Sequence, residues 1–335
     1  MKRLAVYFTA PRQVEVREET LPAPAANQVV VQTLVSAISS GTELLFYRGQ
    51  APTDIPVDET LAALAGDMRF PLKYGYSAVG RVAETGADVS ADWQGRLVFC
   101  FNPHESHFIA ALADLMPVPS ALLPEEATFL PNMETAVNLL MDGQPLIGEQ
   151  VTVFGQGVVG LLATALLARL PLARLVTLDS YALRREKARQ VGAHASLDPA
   201  DRLRLQELLE NGADLVYELS GNPAALDQAI AIAGFNGRVI VGSWYGQKPA
   251  VLNLGGRFHR SRIRLTSSQV SSIAPEWTGR WNKARRFQTA WQMIEQIRPA
   301  HLVTHRFPVE RAPEAYALLE AHPEQAIQVN LNYGT

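Results

Sequence analysis

The sequence predicts an α/β protein in two parts, a β-rich first part followed by a doubly wound parallel sheet. Three observations predict it. Up to about residue 120, short apolar runs (LAVYF, QVVVQTLV, SAVGRVAE, GRLVFCF) are separated by Pro, Gly and Asp/Asn turns. From about residue 124, apolar strands alternate with helical patterns, which implies a parallel sheet covered by helices on both faces. Finally, 335 residues with 47% hydrophobic and 19% charged side chains suit two soluble cores.

In order along the chain, LAVYF is a first strand. Its leading segment MKRLAVYFTAPRQ has too short an apolar run for a secretory signal. QVVVQTLV follows and closes on the polar cluster ISSGTE (38–43). Residues 50–70 interrupt the strand order and read as a loop insertion or lid with a short helical pattern. After SAVGRVAE and GRLVFCF, FNPHESHF reads as an irregular loop. PEEATFLPNMETAVNLLM reads as one helix with Pro124 at its start and two acids in the first turn. Then come QVTVF, a helix over 158–169, RLVTLD, a helix over 182–191, DLVYELS, a helix over 223–233 and GRVIVGS. A strand near IRLTSS, a helix over 283–297, HRFPVE, a helix over 313–321 and AIQVNLNY complete the chain. The expected divisions are 1–123, 124–270 and 271–335, the last returning to the first part.

Net charge is −3, so no global field attracts nucleic acid or anionic membrane. GVVGLLATALLA is too short to span a bilayer. Cys100 is the only cysteine, which excludes an internal disulfide and a multi-cysteine zinc site, and a cytoplasmic location fits.

VTVFGQGVVGLL carries Gly155-x-Gly157-x-x-Gly160 between an apolar strand and an apolar helix, the context in which this spacing binds a dinucleotide. The first glycine makes the turn, the second admits a pyrophosphate, and the third lets helix and strand pack closely. Gln156, Val158 and Val159 complete the turn, and the helix N-terminus faces the phosphates. Asp179 ends the next strand, 19 residues beyond Gly160, where an acid accepts ribose hydroxyls and repels a 2′-phosphate. NAD is therefore expected over NADP, although Arg184 and Arg185 stand close in sequence. Ser220 and Gly221, and Gly242 and Ser243, end the later strands on the cofactor side.

GQGVVG, SAISSGTELLFYRG (36–49), FPLKYGYSAVGRV (70–82), VYELSG (216–221), GRVIVGS (237–243) and THRFPVERAPEAYALLEA (304–321) together resemble the medium-chain dehydrogenase/reductase family. The resemblance covers nearly the whole chain. It implies a GroES-like β-rich catalytic domain and a Rossmann domain, with hydride passing between a nicotinamide and an alcohol, carbonyl or activated alkene in the cleft between them. It also implies a homodimer or homotetramer joined through the edge strand near Ile263 to Ser268. In zinc-dependent members a cysteine ligand stands where Ser40 is and a histidine ligand where Tyr76 is. A third ligand falls near Pro131 to Glu134. Serine and tyrosine hydroxyls do not replace thiolate and imidazole on zinc, so no zinc is expected. SSGTELLFYRG and GYSAVGRV are most similar to the bacteriochlorophyllide dehydrogenase branch.

Within that resemblance Thr42 matches the hydroxyl that contacts the substrate oxygen, and Glu43 an acid that here could accept from Tyr76. ISSGTE also fits a helix cap, with Ser40 capping and Glu43 as its partner three residues on. Ser40, Thr42 and Tyr76 are the candidate donors to an alkoxide without zinc. Tyr76 also fits a core aromatic beside two glycines. His104 or His107 is a candidate proton relay, and the two with Glu105 a weaker candidate metal set. Glu134 is a candidate for the nicotinamide side. Between Arg257 and Arg286 the chain is basic, opposed only by Glu276 and interleaved with Trp277 and Trp281. Arg280 and Arg285 are the candidate contacts to a bulky anionic substrate. A solvated surface or a subunit interface accounts for the same stretch.

The expected activity is a zinc-independent transfer of hydride between NAD(H) and an alcohol or ketone. The alternatives are an enone or quinone reductase using NAD(P)H, and a catalytically silent dinucleotide-binding protein.

Overall fold

The computed structural model describes residues 1–51 and 69–334. The expected lid over 50–70 lies almost wholly outside the described residues. β1 (Lys2–Ala10) and β2 (Gln13–Thr20) form an antiparallel hairpin. β3 (Gln28–Ile38) runs straight into α1 (Ser40–Tyr47). β4 (Ala78–Thr85), β5 (Leu97–Cys100), β6 (His107–Ala111) and β7 (Leu115–Pro117) complete the β-rich stretch. FNPHESHF is therefore only partly loop, since His107 opens β6.

The helix expected from residue 124 is two helices, α2 (Pro124–Ala127) and α3 (Leu130–Gly143). Pro131 explains the break. It has no N–H to donate, and its ring collides with the carbonyl four residues back, at Ala127, where α2 stops.

The alternating region gives β8 (Gln150–Phe154), α4 (Val158–Leu167), β9 (Arg174–Leu178) and α5 (Ala182–Gln190). It continues with β10 (Ala195–Leu197), α6 (Arg202–Leu208), β11 (Ala213–Glu218), α7 (Pro223–Ile232), β12 (Ala233–Val241) and β13 (Arg264–Ser267). The chain ends with α8 (Lys283–Ile297), β14 (Val303–Pro308), α9 (Ala312–Ala321) and β15 (Gln328–Asn332). β2, β10 and α6 carry no strong apolar periodicity, which is why sequence pattern misses them.

The chain divides into two compact units, Met1–Pro131 with Ile294–Thr335, and Asn132–Met293. Both divisions fall inside helices, α3 and α8. In the first unit the larger sheet has the order β14-β15-β3-β4-β5-β7, with β6 also on β3. Val29, Val31, Val82, Val98, Phe108 and Leu115 fill one of its cores. Cys100 is buried in it, and burial pushes its thiol up to about 12, which leaves it inert.

In the second unit the order is β10-β9-β8-β11-β12-β13, and every pair is parallel. The order reverses between β8 and β11, the crevice where open parallel sheets bind ligands at the carboxyl ends of their strands. Phe154, Val176, Leu178, Val216, Ile230 and Val239 pack in its core. Among the described residues no helix is long and apolar enough to cross a membrane.

Candidate active site

ISSGTE in the first unit joins the end of β3 to the start of α1, so its polar groups gather at a helix N-terminus. Ser39, not Ser40, is the N-cap residue, and its side chain makes no capping bond. Glu43 caps instead: its Oε1 accepts the Ser39 backbone N–H at 2.7 Å. The expected cap is one residue out because β3 stays extended to Ile38 and α1 begins at Ser40.

Released from capping, the Ser39 hydroxyl accepts from Tyr76, whose hydroxyl also lies 3.4 Å from Thr42 Oγ1. Ser39, Ser40, Thr42 and Tyr76 are all half-buried.

Glu43 does not pair with Tyr76 as expected. It is wholly buried, and its Oε2 is 3.0 Å from His104 Nε2 and accepts the Tyr316 hydroxyl at 2.5 Å. His104 Nδ1 lies 2.7 Å from Ser36 Oγ, which lies 2.8 Å from the Tyr333 hydroxyl. Burial, reinforced by the Glu43 charge, raises Tyr316 well above the usual phenol value, so it stays a donor. Burial likewise raises Tyr333. His104 enters this network because the 104–106 segment is stitched to β1, through Val6 N–H to the His104 carbonyl and Ser106 N–H to the Leu4 carbonyl. A glycine at 75 is required beside it, because a Cβ there would sit 2.7 Å from the imidazole.

His107 stands apart from this network. It is half-buried on β6 opposite Gln32, and burial lowers its pKa below the ordinary histidine value. Glu105 turns instead to Arg3 and Lys73, at 3.1 and 2.6 Å. Among the described residues no three His, Cys, Asp or Glu side chains group to hold a metal ion.

In the second unit the Gly155–Gly160 turn has the form its spacing predicts. Gly155 has φ +84°, and a Cβ on it would lie 2.5 Å from Ser220 Cα. A Cβ on Gly160 would lie 2.0 Å from the Gly155 carbonyl oxygen, whereas one on Gly157 would meet nothing within 4 Å. The three glycines thus serve turn, open approach and packing in the expected order, and the open space lies over the N-terminus of α4. That arrangement fits a pyrophosphate. Asp179 directly follows β9, with its Oδ2 accepting Gln156 N–H at 2.7 Å and its Oδ1 accepting Tyr181 N–H at 2.8 Å. Each oxygen keeps a second lone pair for a sugar hydroxyl. Arg184 lies 3.9 Å from Asp179 and over the Tyr181 ring.

Ser220, Gly221, Gly242 and Ser243 come together at the ends of β11 and β12. Gly221 N–H donates to Ser243 Oγ at 2.8 Å. A Cβ on Gly221 would also meet nothing within 4 Å, while one on Gly242 would press on Leu219 and Leu139.

Glu134 is tied to α8 through one of its oxygens. Arg286, wholly buried, donates to its Oε1 from Nε at 2.9 Å and Nη2 at 2.7 Å. Burial raises the Glu134 pKa, and Arg286 works against that rise. In the basic stretch Arg280 stacks on Trp277 and Arg285 on Trp281, at 4.8 and 4.2 Å from the ring centroids. Both arginines are exposed.

Ser36, Tyr316, Tyr333 and Glu218 were not among the residues expected at a site, and Ser39 was expected only in the helix cap. Glu218 had a signal, an acid at the end of the apolar run DLVY. The two tyrosines had none, since they reach the network only through tertiary folding.

The profile of a family described as zinc-binding dehydrogenase matches residues 158–294. That span lies almost wholly in the second unit and includes neither Ser40 nor Tyr76. D-guloside 3-dehydrogenase of Escherichia coli K12 is 26% identical, over 99% of this chain and 100% of its own. The 2-desacetyl-2-hydroxyethyl bacteriochlorophyllide A dehydrogenase of Cereibacter sphaeroides is 28% identical, over 97% and 96%. Among solved structures, an alcohol dehydrogenase (rspB) of E. coli CFT073 in complex with NADH superposes with a TM-score of 0.79 at 17% identity, covering 99% of both chains.

Proposed function

We propose, for a chain that belongs to the medium-chain dehydrogenase/reductase family and is an oxidoreductase of the alcohol dehydrogenase type, that it moves hydride between NAD(H) and a secondary alcohol or its ketone without zinc. The observation that carries the zinc-free reading is the hydroxyl patch of Ser39, Thr42 and Tyr76 held over a buried Glu43–His104 pair. Where zinc-dependent members carry thiolate and imidazole, Ser40 and Tyr76 offer hydroxyls, which do not fit zinc. The Glu43 carboxylate is already engaged by Ser39, His104 and Tyr316.

NAD supplies the hydride acceptor when bound. The open turn over Gly157 receives its pyrophosphate, and Asp179 its adenosine ribose. Tyr76 and Thr42 turn their hydroxyls from each other to the substrate oxygen. As hydride leaves the carbinol carbon for the nicotinamide, the substrate's hydroxyl proton passes to these half-buried hydroxyls and on to water, and in reduction they return a proton as negative charge builds on the oxygen. Glu43 and His104 are positioning residues. Their link to the patch is the Ser39 backbone N–H, so they fix where the Ser39 hydroxyl stands rather than carry its proton. Glu134 likewise acts through Arg286 as an anchor inside the second unit.

The relatives are dehydrogenases of a sugar derivative and of a hydroxyethyl-bearing chlorophyllide, which supports a hydroxyl-bearing substrate larger than a simple alcohol. Arg280 and Arg285, exposed and stacked on tryptophans, suit an anionic group on it. The bare edge of β13, exposed along Arg264–Ser267, suits pairing with a second copy in a homodimer. Titration with NADH and NADPH, followed by NAD-dependent oxidation of a panel of secondary alcohols, tests the reading. Equal binding of the two nucleotides, or turnover only with NADPH and enones, would refute it.

A further inference from the structure

Glu218 ends β11, the strand beside the reversal in sheet order, and it is wholly buried. Three neutral donors converge on its two oxygens. Ser220 N–H donates to Oε1 at 2.8 Å, the Ser220 hydroxyl donates to the same oxygen, and the Tyr245 hydroxyl donates to Oε2 at 2.5 Å. Burial, with the Glu218 carboxylate beside it, pushes the Tyr245 phenol far up, so Tyr245 remains a donor. The Glu218 backbone carbonyl holds Gly242 N–H at 3.0 Å, and Lys248 donates to the Gly221 carbonyl at 2.6 Å.

This cluster lies against the phosphate turn. Gly155 packs so tightly on Leu219 and Ser220 that a Cβ there would come within 2.6 Å of the Leu219 oxygen. Gly157 and Gly221, on either side, both face open space. A dinucleotide crossing at this point with its adenosine half at Asp179 sends its other half toward β11 and β12.

We infer that Glu218 sets the redox preference of the bound nucleotide: its buried carboxylate favours the cationic, oxidised nicotinamide over the neutral, reduced one and so lowers the potential of the bound couple, making the reduced nucleotide the stronger hydride donor. The inference rests on NAD binding as proposed above. The physical reason is that charges interact strongly in a buried setting, and only the oxidised ring carries one. Neutral donors hold the carboxylate in place without cancelling its charge.

The test is equilibrium titration of the full chain with NAD+ and, separately, NADH. Glu218→Gln should raise the ratio Kd(NAD+)/Kd(NADH) by on the order of tenfold, equivalent to about 30 mV in the potential of the bound couple. Tyr245→Phe keeps the carboxylate but removes a hydroxyl dipole that offsets it, and should lower the ratio by roughly twofold. Opposite movements in the two variants are not a pattern that loosening of the same loop produces. If Glu218→Gln does not fold, the Tyr245→Phe shift still decides. A ratio unchanged in either folded variant, or both Kd values weakened alike, overturns the inference while NAD binding stands. A wild-type protein that binds neither nucleotide overturns the proposed function itself, and the inference with it.

Discussion

Replacing Arg286 by methionine should unfold the second unit more easily, and more so as pH rises. The guanidinium is wholly buried and donates to Glu134 Oε1 at 2.9 and 2.7 Å, to Asn138 Oδ1 at 2.6 Å, to the Ser272 carbonyl at 3.0 Å and to the Val270 carbonyl. Methionine fills much of the volume and satisfies none of these acceptors. Removing one partner of a buried ion pair costs about 3–5 kcal/mol, a large share of the roughly 5–15 kcal/mol that holds a protein folded.

The pH dependence follows from Glu134. Burial already raises its folded pKa above 4.5, and Arg286 is what restrains that rise. Without Arg286 the folded value climbs further. A carboxyl raised in the folded state contributes stability that is fully present below the unfolded value and lost as pH rises through the folded one. The variant should therefore lose least at acid pH, where only the stranded Asn138, Ser272 and Val270 oxygens cost it, and lose more as pH rises through the folded value of Glu134. Urea unfolding followed by tryptophan fluorescence reads this, because Trp244, Trp277, Trp281 and Trp291 all lie in the second unit. Adding Glu134→Leu should recover part of the loss and flatten the pH dependence. A loss under about 1 kcal/mol at neutral pH, or one equal at both ends of the range, would refute the anchoring role.

Tyr76→Phe and Thr42→Ala should each lower kcat by about 10²–10³ with little change in unfolding, and near-normal turnover in both would remove them from catalysis. His107→Gln should leave the pH–rate profile in place, since His107 stands away from the patch. Gly157→Val should keep wild-type thermal stability and abolish NADH binding. Gly160→Val should lose both, its Cβ falling on the Gly155 carbonyl. Asp179→Ser should narrow the preference for NADH over NADPH, read as the ratio of the two Kd values.

The parallel sheet was legible because apolar strands and helical patterns alternate over 150–241, and the glycine spacing fell in its proper context. α8 was legible to the residue as 283–297. The break between α2 and α3 was written in Pro131 but overridden in reading by the acids and apolar residues around it. The candidate patch was legible in ISSGTE and Tyr76. Its internal pairing was not, because Glu43 meets Tyr316 from 273 positions away and His104 from 61. Short-range pattern carries no information about such contacts, so the Glu43–Tyr76 pair was a reasonable expectation that tertiary folding replaced.

In the proposed reaction hydride passes from substrate carbon to NAD while protein hydroxyls, and no metal, hold the substrate oxygen. The most direct measurement is the rate of NADH formation at the nicotinamide absorbance band from NAD+ and a secondary-alcohol substrate, before and after exhaustive chelator treatment. An unchanged rate, unaffected by added zinc, is the result predicted. A rate that vanishes with the chelator and returns in proportion to added zinc would contradict it.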